Sequence, residues 1–130
     1  MAKISNSEVL PSTCYRVLIV EDDVLQCMEL QAMLDRAGYD SVGPFRTNAS
    51  ALAAIKSEKI DAVLLDVKLS EEKAFAIADT LVSEAIPFII VTGYPQEVLP
   101  EKYRQHRVLY KPVPQQKLME ALQQVFNAGP

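Results

Sequence analysis

Charged or hydroxyl side chains follow four short apolar runs of the sequence, directly after each run ends. In chain order they are Glu21 with Asp22, then Asp66, Thr92 and Lys111. The run before Asp66 is the clearest, since residues 62–65 read Ala-Val-Leu-Leu and suit a strand buried on both faces, as in a parallel sheet. A carboxylate at the end of such a strand points into the crevice where open α/β sheets bind ligands, although it fits a simple loop cap equally well.

Chemistry follows if these strands are parallel, because all the polar ends then lie at one edge of the sheet. Three carboxylates in one crevice repel one another, and burying them uncompensated is costly. A divalent cation and Lys111 would relieve that cost, and oxygen ligands without histidine or cysteine favour Mg²⁺. Thr92 adds a hydroxyl donor and Lys111 a compact positive charge. Together the set could hold the charge of a phosphoryl group during its transfer to a carboxylate.

Each of these side chains also has a simpler interpretation when it is taken alone. Glu21 and Asp22 could complement the dipole of a helix that begins beside them. Thr92 could be a cap, and Lys111 could be a loop residue before a proline. The order of the set, with every member at a strand end, favours the functional interpretation, which the structural context must confirm.

Apolar runs alternate with stretches of helical periodicity. This alternation predicts an α/β fold with right-handed crossovers, in which five strands form a parallel sheet and five helices connect and cover them. Strands are predicted at residues 16–20, 41–45, 62–65, 86–91 and 107–110. The second strand is weak because Gly43 and Pro44 break it. Helices are predicted at residues 24–37 and 49–57, from residue 70 and from residue 114. Pro95 and Pro100 leave little room for a regular helix between residues 92 and 107.

Local signals predict the helix ends and the inward faces. Asp23 and Gln26 resemble a capping box before the first helix, Gly38 supplies its stop, and either Thr47 or Asn48 caps the second helix. In the first helix, apolar residues recur at helical spacing at Val24, Cys27, Met28 and Leu34, and Met33 is also predicted to lie in the core. The side chains predicted to face inward elsewhere are Phe75, Ala78, Leu81 and Val82 in the third helix, and Leu118, Ala121, Leu122 and Val125 in the last.

Length and composition limit the kind of protein. The 130 residues suffice for one domain, and 49% hydrophobic and 23% charged residues are ordinary for a globular chain. A net charge of -4 without basic runs argues against a nucleic-acid surface, and no apolar stretch approaches the roughly 20 residues of a membrane span. We expect residues 1–13 to be a disordered leader and residues 14–130 to form the domain. Cys14 and Cys27 are predicted to be buried, reduced thiols of a cytoplasmic protein.

The polar strand ends and their flanks resemble the receiver domains of two-component response regulators. Residues 16–23, 61–69, 87–94 and 108–113 carry the resemblance, which covers nearly everything after the leader. It implies a flavodoxin-like, three-layer fold with a doubly wound sheet of strand order 2-1-3-4-5. It also implies a single-domain phosphoacceptor that is not an enzyme with a separate substrate, and that catalyses only its own phosphorylation and dephosphorylation. The signal would be read through altered protein contacts, or the domain would act as a phosphate relay or sink.

The resemblance implies a role for each residue and a set of partners. Asp66 would be the phosphoacceptor, Glu21 and Asp22 would bind Mg²⁺ with Asp66 and the backbone carbonyl of Lys68, and Thr92 and Lys111 would contact the phosphoryl group. The donor would be the phosphohistidine of a sensor histidine kinase or of a histidine phosphotransfer domain. A downstream protein would read the signal, and neither nucleic acid nor membrane would be bound.

Three positions depart from the usual pattern of that family. Ser70, Ala74 and Val108 stand where it has a proline, a glycine and an aromatic switch residue. Residues 87–94 are similar to a subfamily with a Pro-Phe-x-Phe-Ala-Thr-Gly signature, which lacks the aromatic switch, although Ile and Val replace its Phe and Ala here. We therefore predict that residues 94–104 are irregular or mobile, become ordered on phosphorylation, and then present Val98, Leu99 and Tyr103 to a partner.

Two other classes of protein deserve comparison. A haloacid-dehalogenase-type phosphatase also places a nucleophilic aspartate after a buried strand, but it requires a second aspartate where this chain has Lys68. A degenerate receiver, used only as a constitutive interaction module, is disfavoured because every acidic, hydroxyl and basic position of the site is intact.

Overall fold

The computed structural model describes residues 14–67 and 72–127, except for the side chains of residues 48 and 72–75. Its centre is a parallel sheet of five strands in the order β2-β1-β3-β4-β5. The strands are β1 (Arg16–Val20), β2 (Asp40–Phe45), β3 (Ala62–Asp66), β4 (Phe88–Thr92) and β5 (Arg107–Tyr110). The fold class and the strand order that the resemblance implied are confirmed. The predicted leader lies outside the described residues.

Five helices within the described ranges complete the three layers. They are α1 (Val24–Ala37), α2 (Asn48–Ser57), α3 (Glu72–Ser83), α4 (Glu101–Arg104) and α5 (Gln115–Asn127). Alternate residues of the central strands face opposite layers, because side chains of a strand alternate between its two faces. Leu18 packs in the core that faces α2, α3 and α4, whereas Ile19 packs in the core that faces α1 and α5. No helix in the described ranges is both long and apolar enough to cross a bilayer.

The ends of the first two helices follow from local capping. The Asp23 carboxylate accepts the backbone N–H of Gln26 at 3.1 Å, and Gly38 ends α1 with a left-handed φ of 86°. The predicted span of α1 is therefore confirmed, although the other half of the capping box is replaced by a bond from the Asp23 N–H to Glu21 Oε2. Thr47, not Asn48, caps α2, since its hydroxyl accepts the N–H of Ser50 at 3.1 Å.

The second strand corrects one prediction. Strand β2 continues through Gly43 and Pro44. The pairing of β2 with β1 shifts register there, between Leu18 and Val20 of β1. Gly43 has a φ of 97°, and a Cβ there would lie 2.8 Å from the ring of Phe45. Because β2 is an edge strand, the missing N–H of proline leaves no neighbouring strand unpaired.

Several side chains predicted to be buried are not. Val82 and Met28 are each 60% exposed, Val24 is 58% exposed and Cys14 is exposed, so these four predictions were wrong. Ala78, Leu81, Leu118, Ala121, Leu122 and Cys27 are buried as predicted, and Val125 and Met33 are partly buried against the core. The side chain of Phe75 lies outside the described part.

The segment after β4 is irregular, as predicted, and contains the single turn of α4. Leu99 and Tyr103 are only 1% exposed in this segment and belong to the core beneath α2 and α3. Of the three residues predicted to contact a partner, Val98, Leu99 and Tyr103, only Val98 is exposed to solvent, at 48%. Leu99 and Tyr103 are therefore not accessible in this conformation, and the contact surface expected after phosphorylation stays a prediction.

Candidate functional site

The carboxyl edge of the sheet brings together the side chains singled out in the sequence. Glu21 and Asp22 follow β1, Asp66 ends β3, Thr92 ends β4 and Lys111 follows β5. Carboxylate oxygens of Glu21, Asp22 and Asp66 all lie within 4.8 Å of one another. Parallel pairing of β1 with β3 and of β3 with β4 produces this convergence, because it aligns the strand ends in neighbouring registers.

Lys111 reaches across the edge to two of these carboxylates. Its Nζ lies 2.9 Å from Glu21 Oε1 and 3.2 Å from Asp66 Oδ1. The backbone N–H of Lys111 donates to the carbonyl of Thr92 at 2.7 Å, which fixes the start of its side chain beside β4. The lysine is thus a counter-charge to Glu21 and Asp66, with only 17% of its side chain exposed.

Glu21 is almost fully enclosed, with 2% of its surface exposed. Its Oε1 accepts from Lys111, its Oε2 accepts from the Asp23 N–H, and its own N–H donates to the carbonyl of Phe45 at 3.1 Å. The thiol of Cys27 donates to the Glu21 carbonyl at 3.2 Å. These bonds hold the carboxylate where it meets Lys111 and Asp66.

Burial and charge shift the pKa values of the crevice. Burial is the main reason that the pKa of Asp66 rises to about 6, the charge of Glu21 adds to the rise, and Lys111 opposes it. Burial lowers the pKa of Lys111, but the hydrogen bonds and charges of Glu21 and Asp66 outweigh this effect, and the pKa rises above its ordinary value. Lys111 is therefore held in its charged form.

Thr92 is completely buried, and its hydroxyl is engaged with backbone. Its Oγ1 donates to the carbonyl of Val67 at 3.2 Å and accepts the N–H of Tyr94 at 3.1 Å. The hydroxyl therefore lies at the predicted edge, beside the residue that follows Asp66, but it must leave Val67 to contact a group on that aspartate.

The carboxylates suit a hard divalent cation. All three side chains supply oxygen, and Asp22 is exposed, which leaves room for water ligands of the kind that Mg²⁺ retains. Lys68 and Ser70 lie outside the described residues, so the carbonyl predicted for Lys68 stays a prediction. Val108, which stands at the position of the family's aromatic switch residue, is partly buried against the core.

One charged residue of this edge was missed in the sequence. Arg46 directly follows β2, and the preceding carbonyl, that of Phe45, accepts the N–H of Glu21. The signal that revealed the other positions, a polar residue after an apolar run, is present here in weaker form. Gly43 and Pro44 made the predicted strand a weak one, so the residue after it was not singled out.

Fold and site together define a class, namely a doubly wound α/β domain with an acidic, lysine-bridged crevice at the carboxyl edge of its sheet. Within that class, residues 17–123 match the family model described as response regulator receiver domain. The chain belongs to this family, and it is a receiver domain of a response regulator, the class of domain that accepts a phosphoryl group on an aspartate. It is a signalling domain and not an enzyme in the usual sense.

Relatives with full-length and with partial matches were found. SdrG from Sphingomonas melonis Fr1 is 34% identical, with a TM-score of 0.76 over 87% of this chain and 97% of SdrG. PilH from Pseudomonas aeruginosa is 31% identical over 85% of this chain and 97% of PilH. The transcriptional regulatory protein PdtaR from Mycobacterium tuberculosis is 34% identical over 68% of this chain, but the match spans only 44% of PdtaR.

Proposed function

We propose that Asp66 accepts a phosphoryl group from a phosphohistidine, in a reaction that requires Mg²⁺ and that the domain itself catalyses. The observation that carries the proposal is the position of Lys111 Nζ, within 3.2 Å of Asp66 and 2.9 Å of Glu21. Such a site holds one positive charge beside the aspartate, where phosphoryl oxygens would arrive. Mg²⁺, held by Glu21, Asp22, Asp66 and the carbonyl of Lys68, would offset the carboxylates and the phosphoryl charge.

The residues of the chain divide the remaining work. A carboxylate oxygen of Asp66 forms the bond to phosphorus as the phosphorus–nitrogen bond of the donor breaks, and the electron pair stays on the imidazole nitrogen. Lys111 donates to a phosphoryl oxygen from the side of β5. Thr92 exchanges the Val67 carbonyl for a second phosphoryl oxygen, and this exchange reports the phosphorylated state to the backbone at Tyr94.

The family supplies the partners of this proposal. A sensor histidine kinase or histidine phosphotransfer domain would donate the phosphoryl group, and a downstream protein would respond to altered contacts unless the domain serves as a relay or sink. We place these exchanges in the cytoplasm, where two thiols that form no disulfide would stay reduced. SdrG has also been solved in a BeF3-activated conformation. This chain is 34% identical in sequence to that SdrG chain, and the two structures superpose with a TM-score of 0.74.

Intact mass spectrometry tests the proposal. The protein is incubated with acetyl phosphate, with and without Mg²⁺, and the fraction that gains one phosphoryl group is measured. We expect labelling of wild type only with Mg²⁺, and none in Asp66→Asn. Asp35→Asn, which changes an exposed acid on α1, should be labelled like wild type. Equal labelling of Asp66→Asn would show that the site is wrong, and an unlabelled wild type would favour a constitutive interaction module.

A further inference from the structure

Strand β2 contains one extra residue, a β-bulge, just before it reaches the edge of the sheet that carries the site. Leu18 of β1 pairs with Val42 of β2. Two positions later Val20 pairs with Phe45, which is three positions further along β2. Two residues of β2, the first of them Gly43, therefore lie opposite one residue of β1. A bulge bends its strand and re-aims the residues that follow, and bulges recur beside active sites.

The bulge decides how Phe45 is presented to β1. Side chains alternate along a strand, so one inserted residue moves every later side chain to the other face of the sheet. With the insertion, the Phe45 ring lies on the same face as Val20 and packs against the same core. The Phe45 carbonyl then accepts the N–H of Glu21 at 3.1 Å. Without the insertion, Phe45 would lie opposite Glu21, with its ring on the other face of the sheet.

Glycine is required at the first position of the bulge. Gly43 has a φ of 97°, a left-handed conformation that residues with a side chain rarely adopt. A Cβ at this position would lie 2.9 Å from the backbone nitrogen of Phe45 and 2.8 Å from its ring. The ring has little room to turn away, because it is partly buried against the core that faces α2. A side chain at position 43 therefore displaces the backbone of Phe45.

Glu21 is the residue that such a displacement reaches first. Its carboxylate is held by Lys111 and by the N–H of Asp23, and its backbone N–H is held by the Phe45 carbonyl. We propose that Gly43 is a positioning residue for the metal site, which acts by setting the Phe45 carbonyl to which Glu21 is bonded. The inference rests on the proposed function, in which Glu21 helps to hold Mg²⁺, and it adds a residue of β2 that itself contacts no metal.

A second glycine of the chain gives a matched control. Gly38, which ends α1 away from the acidic loop, has a φ of 86°, but a Cβ there meets nothing within 4 Å. Alanine is strained by φ at both positions, whereas only Gly43→Ala also displaces Phe45. Mg²⁺ binding to wild type, Gly43→Ala and Gly38→Ala is measured by isothermal titration calorimetry. The temperature is one at which circular dichroism shows all three proteins to be folded.

We expect Gly43→Ala to bind Mg²⁺ about tenfold more weakly than wild type, the low end of the usual loss when a group that orients a metal ligand is removed. Gly38→Ala should bind Mg²⁺ like wild type, although it is also less stable. Amide exchange without metal is a second readout. Exchange of the Glu21 N–H is compared with that of Asp61, which donates to the carbonyl of Arg16 at the other end of β1. The ratio should rise only in Gly43→Ala.

A pair of asparagine variants repeats the comparison with less backbone strain, should Gly43→Ala not fold. Asparagine adopts positive φ more readily than alanine, but its Cβ makes the same contact with Phe45. Gly43→Asn should therefore bind Mg²⁺ more weakly than Gly38→Asn, and its Glu21 N–H should exchange faster.

Three results would overturn the inference. They are a Gly43 variant that binds Mg²⁺ like wild type, an equal weakening in the Gly43 and Gly38 variants, and an unchanged exchange ratio for Glu21. Each of them, with Mg²⁺ still bound by wild type, would remove the role of Gly43 and leave the proposed function intact. A wild type that binds no Mg²⁺ would contradict the metal requirement of the proposed function, and the role of Gly43 would fall with it.

Discussion

Lys111 Nζ lies 2.9 Å from Oε1 of Glu21, a carboxylate with only 2% of its surface exposed. The contact joins the end of β1, the first strand in the chain, to the end of β5, the last. A buried carboxylate without a counter-charge is costly, so the same ion pair that positions Lys111 in the site also contributes to the stability of the fold.

Replacement of Lys111 by alanine should destabilise the metal-free protein. Glu21 and Asp66 would then face each other without their shared cation. Since Lys111 is partly exposed, we expect a loss of about 1–3 kcal/mol in the free energy of unfolding, below the range for a fully buried pair. Urea denaturation measures this loss, and Lys117→Ala, an exposed lysine on α5, is the control. A Lys111→Ala variant as stable as the control would mean that the ion pair contributes nothing.

Replacement of Asp66 by asparagine should have the opposite effect. The substitution keeps the shape of the side chain and removes a charge that is repelled by Glu21 and disfavoured by burial. We expect the unfolding free energy without metal to rise by about 1 kcal/mol, reduced from the full cost of a buried charge because Lys111 already compensates part of it. Thermal unfolding with and without Mg²⁺ checks this, and Mg²⁺ should stabilise wild type more than the variant. A less stable variant in metal-free buffer would contradict the expectation.

The hydroxyl of Thr92 should protect the backbone amide of Tyr94. In Thr92→Val the carbonyl of Val67 and the N–H of Tyr94 lose their partner, which should cost about 1–2 kcal/mol of stability. Amide exchange of Tyr94 should become faster, whereas Thr92→Ser should keep the bond and the protection. Phosphorylation of wild type should also speed exchange at Tyr94, because the hydroxyl turns toward the phosphoryl group. Unchanged protection of Tyr94 on phosphorylation would contradict this account of the readout.

The segment that contains α4 should be anchored before phosphorylation. Leu99 is 1% exposed, so Leu99→Ala should cost about 2–4 kcal/mol, as for other large-to-small changes in a core. Val98→Ala, one residue earlier and 48% exposed, should stay within about 0.5 kcal/mol of wild type. Urea denaturation of both variants makes the comparison. Equal, small effects would restore the hypothesis of a segment that orders only on phosphorylation.

Much of the fold was predictable because its signals are local. The bounds of α1 follow from the cap at Asp23 and the stop at Gly38, both of which act within one helical turn. Strands buried on both faces require continuous apolar runs, so these runs and the polar residues that follow them could be identified from the sequence alone. Alternation of strands and helices then predicted that Glu21, Asp66, Thr92 and Lys111 share one edge of the sheet.

Contacts between distant segments were decided only by the tertiary structure. Helical periodicity could not distinguish the buried face of α3 from its margin, so it placed the exposed Val82 inside and overlooked the buried Ile77. The bond from Thr92 to Val67 and the enclosure of Leu99 and Tyr103 depend on how β4 and α4 pack against the rest of the fold. Arg46 was placed at the carboxyl edge of the sheet only by the parallel pairing of β2 with β1, because a residue after a weak strand acquires its neighbours from the sheet and not from its own segment.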